Sequence, residues 1–507
     1  MKYTWRTRRR AAAAATAILS LAACGGGESA GDFGARAADS PVPIPLVQGP
    51  ITGGIRTGEA FGTSMIELSH GYIEEEFIIS GTARSTGETE STAPYATRIL
   101  VRRPSDAAAF NGTVVVDWNN VTLQFDFDTG WFAMADILMP RGYIYVGVSA
   151  QNQGVDGSPL GLFFWDPARY GGLVHPGDDY AHDIFSQAGQ ALLDPQVLPP
   201  DFQRRLQFRI ASGASQSAGY LASYINDVHE SAQVFDAFFP QIASVASVRK
   251  DIGPQLWWLS QDEAAGISEP PEDTPQFRYW ETPGPPHTVF ASNSYIRAIE
   301  VYNFASVGTG LINVYNPPVD RQYGEQDLRG NCSFNRYPAG HSWSAAFIAL
   351  DDWLRTGVPP ASAPRIERDA AGEMQFDAHG NVRGGIRSPV MDVPIGSYYA
   401  GALPPADALT ACAPGGPLPL LGTSQTFPGS KLAELYPTHA DYLNALEASA
   451  DAIMAQGWLL PEHHAELMTY ARAADVTDPV GRRIPTAPGV PPIPIPGLPA
   501  PVLTPGN

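Results

Sequence analysis

Gln207-Phe208-Arg209-Ile210-Ala211-Ser212-Gly213-Ala214-Ser215-Gln216-Ser217-Ala218-Gly219-Tyr220 reads as an apolar strand, a turn of small residues and the start of a helix. A strand-to-helix bend this tight admits only small side chains two positions either side of its apex. An apex at Ser217 puts Ser215 and Gly219 on the flanks, a small-x-Ser-x-Gly version of the Gly-x-Ser-x-Gly elbow. The bend lifts the apex hydroxyl clear of the sheet and turns the next amide, that of Ala218, toward a bound carbonyl. One stretch thus predicts a nucleophile at Ser217, an oxyanion donor at Ala218 and an α/β fold. The helix-like run 220–229 sets it apart from the similar turns of ordinary loops.

Outward from this stretch, strand-like runs recur at 76–82, 97–102, 113–118, 143–149, 208–211, 235–242, 255–259 and 277–280. Helix-like runs fall between several of them, at 131–139, 180–193 and 218–228, and again at 343–355. The alternation predicts a mostly parallel central sheet with helices on both faces. Residues 431–475 are helical by period and lie outside that sheet. The 507 residues are 44% hydrophobic and 17% charged, enough for a sizeable core in one large or two medium domains. Fifty glycines and 47 prolines require many loops around it.

The N-terminus has a different character. Lys2, Arg6, Arg8, Arg9 and Arg10 precede the apolar run 11–21, which ends in Ala22-Ala23-Cys24. A basic head, a short apolar middle and small residues make a secretory signal, too short to span a membrane. Leu21-Ala22-Ala23-Cys24 also resembles the bacterial lipobox, which implies a signal peptide at 1–23 and acylation of Cys24. Gly25 after the cysteine implies, by the same resemblance, the outer membrane; the arginines leave the export route open. Residues 24–45 suit a flexible tether, and 486–507 a Pro-rich extended tail. Removing 1–23 takes five basic residues and no acidic one, moving the net charge from −20 to −25. So acidic a surface disfavours nucleic acid and anionic membranes as partners. Cys332 and Cys412 remain besides Cys24, an even pair that reads as one disulfide in an exported protein.

Several blocks together resemble the bacterial "alpha/beta hydrolase domain" family of the α/β-hydrolase superfamily. They are Asn111-Gly112-Thr113-Val114-Val115-Val116-Asp117-Trp118-Asn119-Asn120-Val121-Thr122, Asp166-Pro167-Ala168-Arg169-Tyr170 with His175-Pro176-Gly177-Asp178, and the elbow with Tyr224-Ile225-Asn226. Tyr279-Trp280-Glu281 with Gly284 and His287, Gly384-Gly385-Ile386-Arg387-Ser388-Pro389, and Leu435-Tyr436-Pro437-Thr438-His439 continue the series. The resemblance covers roughly 46–475. It implies an α/β-hydrolase domain over 46–485, with cap insertions at about 288–340 and 388–430 and extra C-terminal helices.

It also implies the chain order serine, acid, histidine. A serine hydroxyl becomes nucleophilic when an imidazole takes its proton, and a carboxylate orients that imidazole. His287, on a Gly/Pro loop past the last strand at the family's Gly-x-x-His position, is the preferred base. His341, just before a good helix, is the rival. Glu263 or Asp262, just past the strand 255–259, supplies the acid, although Gln261 departs from the family's pattern there. The second oxyanion donor falls to Asn119 or Asn120, after the strand 113–118. His175, Asp178, Asp179, His182 and Asp183 are read as structural or as a lip of the pocket, because the Pro176-Gly177 break keeps the two histidines off one helix face. No metal or other cofactor is implied. These readings predict an exported, lipid-anchored serine hydrolase acting on a small-molecule carboxylic ester. The rivals are an amide, lactone or thioester hydrolase, and a ligand-binding lipoprotein with a degenerate hydrolase fold.

Overall fold

The computed structural model describes residues 40–476 except 57–58, 88–89, 289–298, 300–302, 305–331, 402–419, 421 and 474–475. Nine strands share one sheet: β1 (Leu46–Gln48), β2 (Tyr72–Arg84), β3 (Thr92–Pro104), β4 (Thr113–Trp118), β5 (Ile144–Val148), β6 (Phe208–Ala214), β7 (Ala237–Gln241), β8 (Gln255–Leu259) and β9 (Phe277–Glu281). Their spatial order is β1-β2-β3-β5-β4-β6-β7-β8-β9. The three pairings from β1 to β5 are antiparallel, and all those from β5 to β9 are parallel. The expected mostly parallel α/β sheet is therefore present.

Strand side chains alternate between faces, so a sheet covered on both sides needs apolar residues at successive positions. In β4, Val114, Val116 and Trp118 pack with Phe185 and Tyr224, whereas Val115 packs with Trp131 and Phe347. Trp257 and Trp258 likewise enter opposite cores, fully buried. Helices α1 (Thr129–Leu138) and α5 (Ala339–Thr356) cover one face, and α2 (Ala181–Gln190) and α3 (Gln216–Asp227) the other. The short helix α4 (Gln261–Ala265) follows β8.

The C-terminal helices α6 (His439–Ala455) and α7 (Pro461–Ala473) lie outside the sheet, as their period predicts, but they belong to its core. Tyr442, Leu446, Leu467 and Met468 join the apolar cluster of α1 and α5. The insertion regions meet in a second sheet, where β10 (Cys332–Phe334) and β11 (Gly396–Tyr399) flank β12 (Thr423–Thr426) antiparallel. Cys332 stands opposite Gln425 in that ladder. Cys412, Cys24 with the leader, and the tail 486–507 lie outside the described residues. Among the described residues no helix is long and apolar enough to cross a membrane.

The strand order places the site. From β4 the chain passes through α1 to β5 on one side, then returns to β6 on the other side of β4. Such a reversal opens a crevice at the carboxyl ends of the two strands. Residues 119–121 leave β4 there, and Ser215 leaves β6.

Candidate active site

β6 runs on to Ala214, beyond the expected 208–211, so the bend falls two residues before the predicted apex. Ser215 carries it, with φ 59° and ψ −121°, and α3 starts at Gln216. A non-glycine residue in such a conformation costs on the order of 1–3 kcal/mol and persists only where its surroundings enforce it. The enforcement is close packing: a Cβ on Gly213 would lie 3.2–3.3 Å from the backbone carbonyl and Cβ of Ser217. The elbow is thus Gly213-Ala214-Ser215-Gln216-Ser217, with its small flanks at 213 and 217. Ser217 is not the apex. It is fully buried in the first turn of α3, and its hydroxyl donates to the Asn119 carbonyl at 3.3 Å.

Ser215 Oγ meets His287 Nε2 at 2.9 Å, and His287 Nδ1 meets Glu263 Oε1 at 2.5 Å. The turn from β8 into α4 presents the carboxylate. Ser260 caps α4 by accepting from the Asp262 N–H at 3.2 Å, and its hydroxyl donates to Glu263 Oε2 at 2.5 Å. Asp262 takes the other half of the task, accepting the backbone N–H of His287 at 2.8 Å. Gln261 ties the same two loops together: its Oε1 accepts from the Gly284 N–H at 2.8 Å, and its N–H donates to the Pro285 carbonyl at 3.1 Å. The departure at Gln261 therefore supports the histidine loop.

Burial alone would lower the pKa of His287. The Glu263 hydrogen bond and the charges of Glu263 and Asp262 outweigh it, and the net shift is upward from 6.5. His341 sits elsewhere. Its ring stacks on His463 of α7 at 4.6 Å, and both of its nitrogens are buried without a hydrogen-bond partner among the described residues. A helix start beside a Pro-Ala-Gly turn drew attention to His341, but that local signal carries nothing about which loop faces the elbow.

Ser215 as apex moves the elbow's amide donor from Ala218 to Gln216, the first residue of α3. Ala218 is fully buried one residue past Ser217. Neither asparagine offers a free backbone amide: Asn119 N–H donates to the Val148 carbonyl at 3.1 Å and Asn120 N–H to the Phe127 carbonyl at 2.9 Å. The Thr122 N–H donates to Asn120 Oδ1 at 2.8 Å. Among residues 119–122 this leaves the Val121 N–H with no acceptor among the described residues, a donor that the sequence reading missed.

The loop bearing Val121 is anchored by buried charge. Arg98 of β3 donates to Asp126 Oδ2 at 3.0 Å and Ser149 Oγ at 3.1 Å, and pairs with Glu76 at 3.3 Å. Arg102, also fully buried, pairs with Asp128 at the start of α1 and with Glu74 at 2.7 Å. Charges this deep are tolerated only when paired, so the 126–128 end of the loop is fixed to the sheet.

A serine hydroxyl at a strained elbow, a histidine and a carboxylate in line, and free amides at a strand-order reversal recur together in one structural class. The family model described as "Alpha/beta hydrolase domain" matches residues 47–469. The chain belongs to the alpha/beta hydrolase domain family. No curated protein matches it. Solved structures that match include an α/β serine hydrolase without a lid from Xanthomonas campestris, at 11% identity and TM-score 0.27, covering 45% of this chain and 94% of that one. Esterase Est22 matches at 9% identity and TM-score 0.26, over 40% and 67% of the two chains. Oligopeptidase B from Leishmania major matches at 14% identity and TM-score 0.21, over 34% of this chain and 20% of that one. Likeness at this level carries no argument about substrate.

In this alpha/beta hydrolase the segment 166–183 ties α3, through His182 and Asp178, to β2 and to the loop after β5. His175 Nε2 lies 2.9 Å from the Ala150 carbonyl, and His182 Nε2 lies 3.1 Å from that of Tyr220. Asp178 accepts from the Tyr220 hydroxyl at 2.9 Å and the Asn152 N–H at 2.8 Å. Asp183 accepts from the Arg84 N–H at 2.9 Å, and the Asp179 carbonyl accepts from the Thr86 N–H at 2.8 Å. Each has a separate structural partner, and among the described residues no group of three metal-ligating side chains converges.

Proposed function

We propose that this hydrolase cleaves carboxylic esters through an acyl-enzyme, with Ser215 as nucleophile, His287 as general base and then acid, and Glu263 as the carboxylate that orients it. The observation carrying this reading is the continuous hydrogen-bonded line from Ser215 Oγ through His287 to Glu263. Ser215 Oγ attacks the ester carbonyl carbon while its proton passes to His287 Nε2. Negative charge develops on the carbonyl oxygen, where the N–H groups of Gln216 and Val121 receive it. The imidazolium, stabilised by Glu263, protonates the departing alcohol as its bond to carbon breaks. Water then attacks the acyl carbon, giving its proton to His287, and Ser215 leaves with that proton as the free acid is released. No step calls for a cofactor.

The test is labelling by a fluorophosphonate together with hydrolysis of p-nitrophenyl butyrate. Both are expected in the wild type and in Ser217→Ala, and neither in Ser215→Ala. Labelling that survives Ser215→Ala but not Ser217→Ala would overturn the assignment, and a chain that never labels would be a binding protein. The same reading holds residues 1–23 to be an export signal and Cys24 the acylated anchor, leaving the hydrolase on a membrane surface, with Cys332 and Cys412 disulfide-bonded. Incorporation of labelled palmitate that is lost in Cys24→Ala tests the anchor, and thiol counts before and after reduction test the bridge.

A further inference from the structure

Two hydrogen bonds cross between the elbow and the loop after β4, and they come from residues that the sequence reading had cast as chemical participants. Asn120 Nδ2 donates to the carbonyl of Ala214, the residue before Ser215, at 3.0 Å. Ser217 Oγ donates to the Asn119 carbonyl at 3.3 Å. The Asn120 side chain is engaged at both its nitrogen and its oxygen, since Oδ1 accepts from the Thr122 N–H, and its backbone exchanges both hydrogen bonds with Phe127 at 2.9 and 3.0 Å. Asn120 is 2% exposed and Ser217 fully buried, so water cannot replace either bond. These two bridges join the two segments that carry the proposed oxyanion donors, Gln216 on one and Val121 on the other.

We propose that Asn120, seconded by Ser217, is a positioning residue that sets the separation of the two oxyanion donors. This rests on the assignment of Ser215 as nucleophile. Two N–H groups stabilise a developing oxyanion only if both reach the same oxygen at about 2.7–3.1 Å. The Val121 amide follows Asn120 directly and the Gln216 amide lies two residues past Ala214, so the 3.0 Å carboxamide bridge spans the gap almost at the donors themselves. Without it, the loop keeps the Arg98–Asp126 contact, the Asn120–Phe127 backbone bridge and the Asn119 N–H bond to Val148, none of which is made to the elbow, and the longer Ser217 bond. Displacement by about 1 Å is sufficient to lose on the order of 10²-fold in rate.

Asn120→Asp separates this role from a structural one. The aspartate keeps the acceptor for Thr122 and the side-chain volume, and it loses the donor to Ala214. With p-nitrophenyl acetate the expected result is a kcat about 10- to 100-fold lower at little-changed KM, because the bridge acts on the transition state. Affinity for an alkyl trifluoromethyl ketone, which forms the tetrahedral adduct, falls by the same factor as kcat/KM. Ser217→Ala gives a smaller loss of the same kind, and Ser217→Thr, which retains the hydroxyl, recovers it. Wild-type kcat and ketone affinity in Asn120→Asp, with only a lowered Tm, would overturn the proposal. If Ser215→Ala retains turnover, the assignment of Ser215 itself fails. A dead Ser215→Ala beside a fully active Asn120→Asp would remove only the positioning role.

Discussion

Replacing Ser215 and Ser217 in turn by alanine and by glycine distinguishes the two serines through stability alone. At Ser215 alanine removes the hydroxyl contact with His287 but stays at φ 59°, where a Cβ is strained. Glycine loses the same contact and is released from that strain, worth about 1–3 kcal/mol, less about 0.5–1 kcal/mol for the greater freedom of glycine in the unfolded chain. Glycine at 215 is therefore expected to be more stable than alanine by about 1 kcal/mol. At Ser217, inside the first turn of α3, the order reverses, because glycine in a helix costs up to about 1 kcal/mol relative to alanine. For an ordered body of this size, 1 kcal/mol corresponds to about 1 °C in Tm. Differential scanning calorimetry of the four variants measures the two differences, and fluorophosphonate labelling of the same samples ties them to the chemistry. If alanine is the better replacement at both positions, the strained apex is not at Ser215 and the assignment of the elbow fails.

The upward-shifted His287 must be neutral to act as a base, so kcat/KM is expected to fall with acid along a limb whose midpoint lies above 6.5. Glu263→Gln moves that midpoint down, since burial then acts without the carboxylate, and lowers kcat roughly 10³- to 10⁴-fold. A midpoint unmoved by the substitution refutes the pairing. The same shift adds stability to the folded state that is complete below the unfolded pKa and is lost as pH rises through the folded one. His341 has the opposite sign: burial first, then the charge of His463, push its pKa well below 6.5 against the pull of Asp136. The unfolded chain takes up a proton near pH 6.5 that the folded site refuses, so Tm falls as pH drops below about 6.5. Asp136 on His463, at 2.8 Å, and Glu466, 3.8 Å from His341, also face the pair. His341→Phe is expected to flatten the acid side of the Tm–pH curve, and an unchanged slope would place the acid sensitivity elsewhere.

The sequence by itself determined the sheet. The apolar runs at 113–118, 255–259 and 277–280 are strands because their apolar side chains are shared between two cores, one on each face, a pattern written locally at period two. It narrowed the base to His287 or His341 and the acid to Glu263 or Asp262, and the neighbouring strands β8 and β9 then bring His287 against Glu263 in three dimensions. The apex of the bend was decided only in three dimensions. Gly213-Ala214-Ser215-Gln216-Ser217 and Ser215-Gln216-Ser217-Ala218-Gly219 both offer a serine between small flanks, and sequence spacing does not say where the strand stops hydrogen-bonding. Pairing with β7 continues to Ala214 opposite Gln241, and that register fixes the bend at Ser215. The oxyanion loop depended on tertiary structure in the same way. Which of the amides at 119–122 stays free follows from what Val148 and Phe127 accept, and no pattern along the chain records it. Local periodicity reports which face of an element is buried; hydrogen bonds between distant segments decide which polar groups are left over for chemistry.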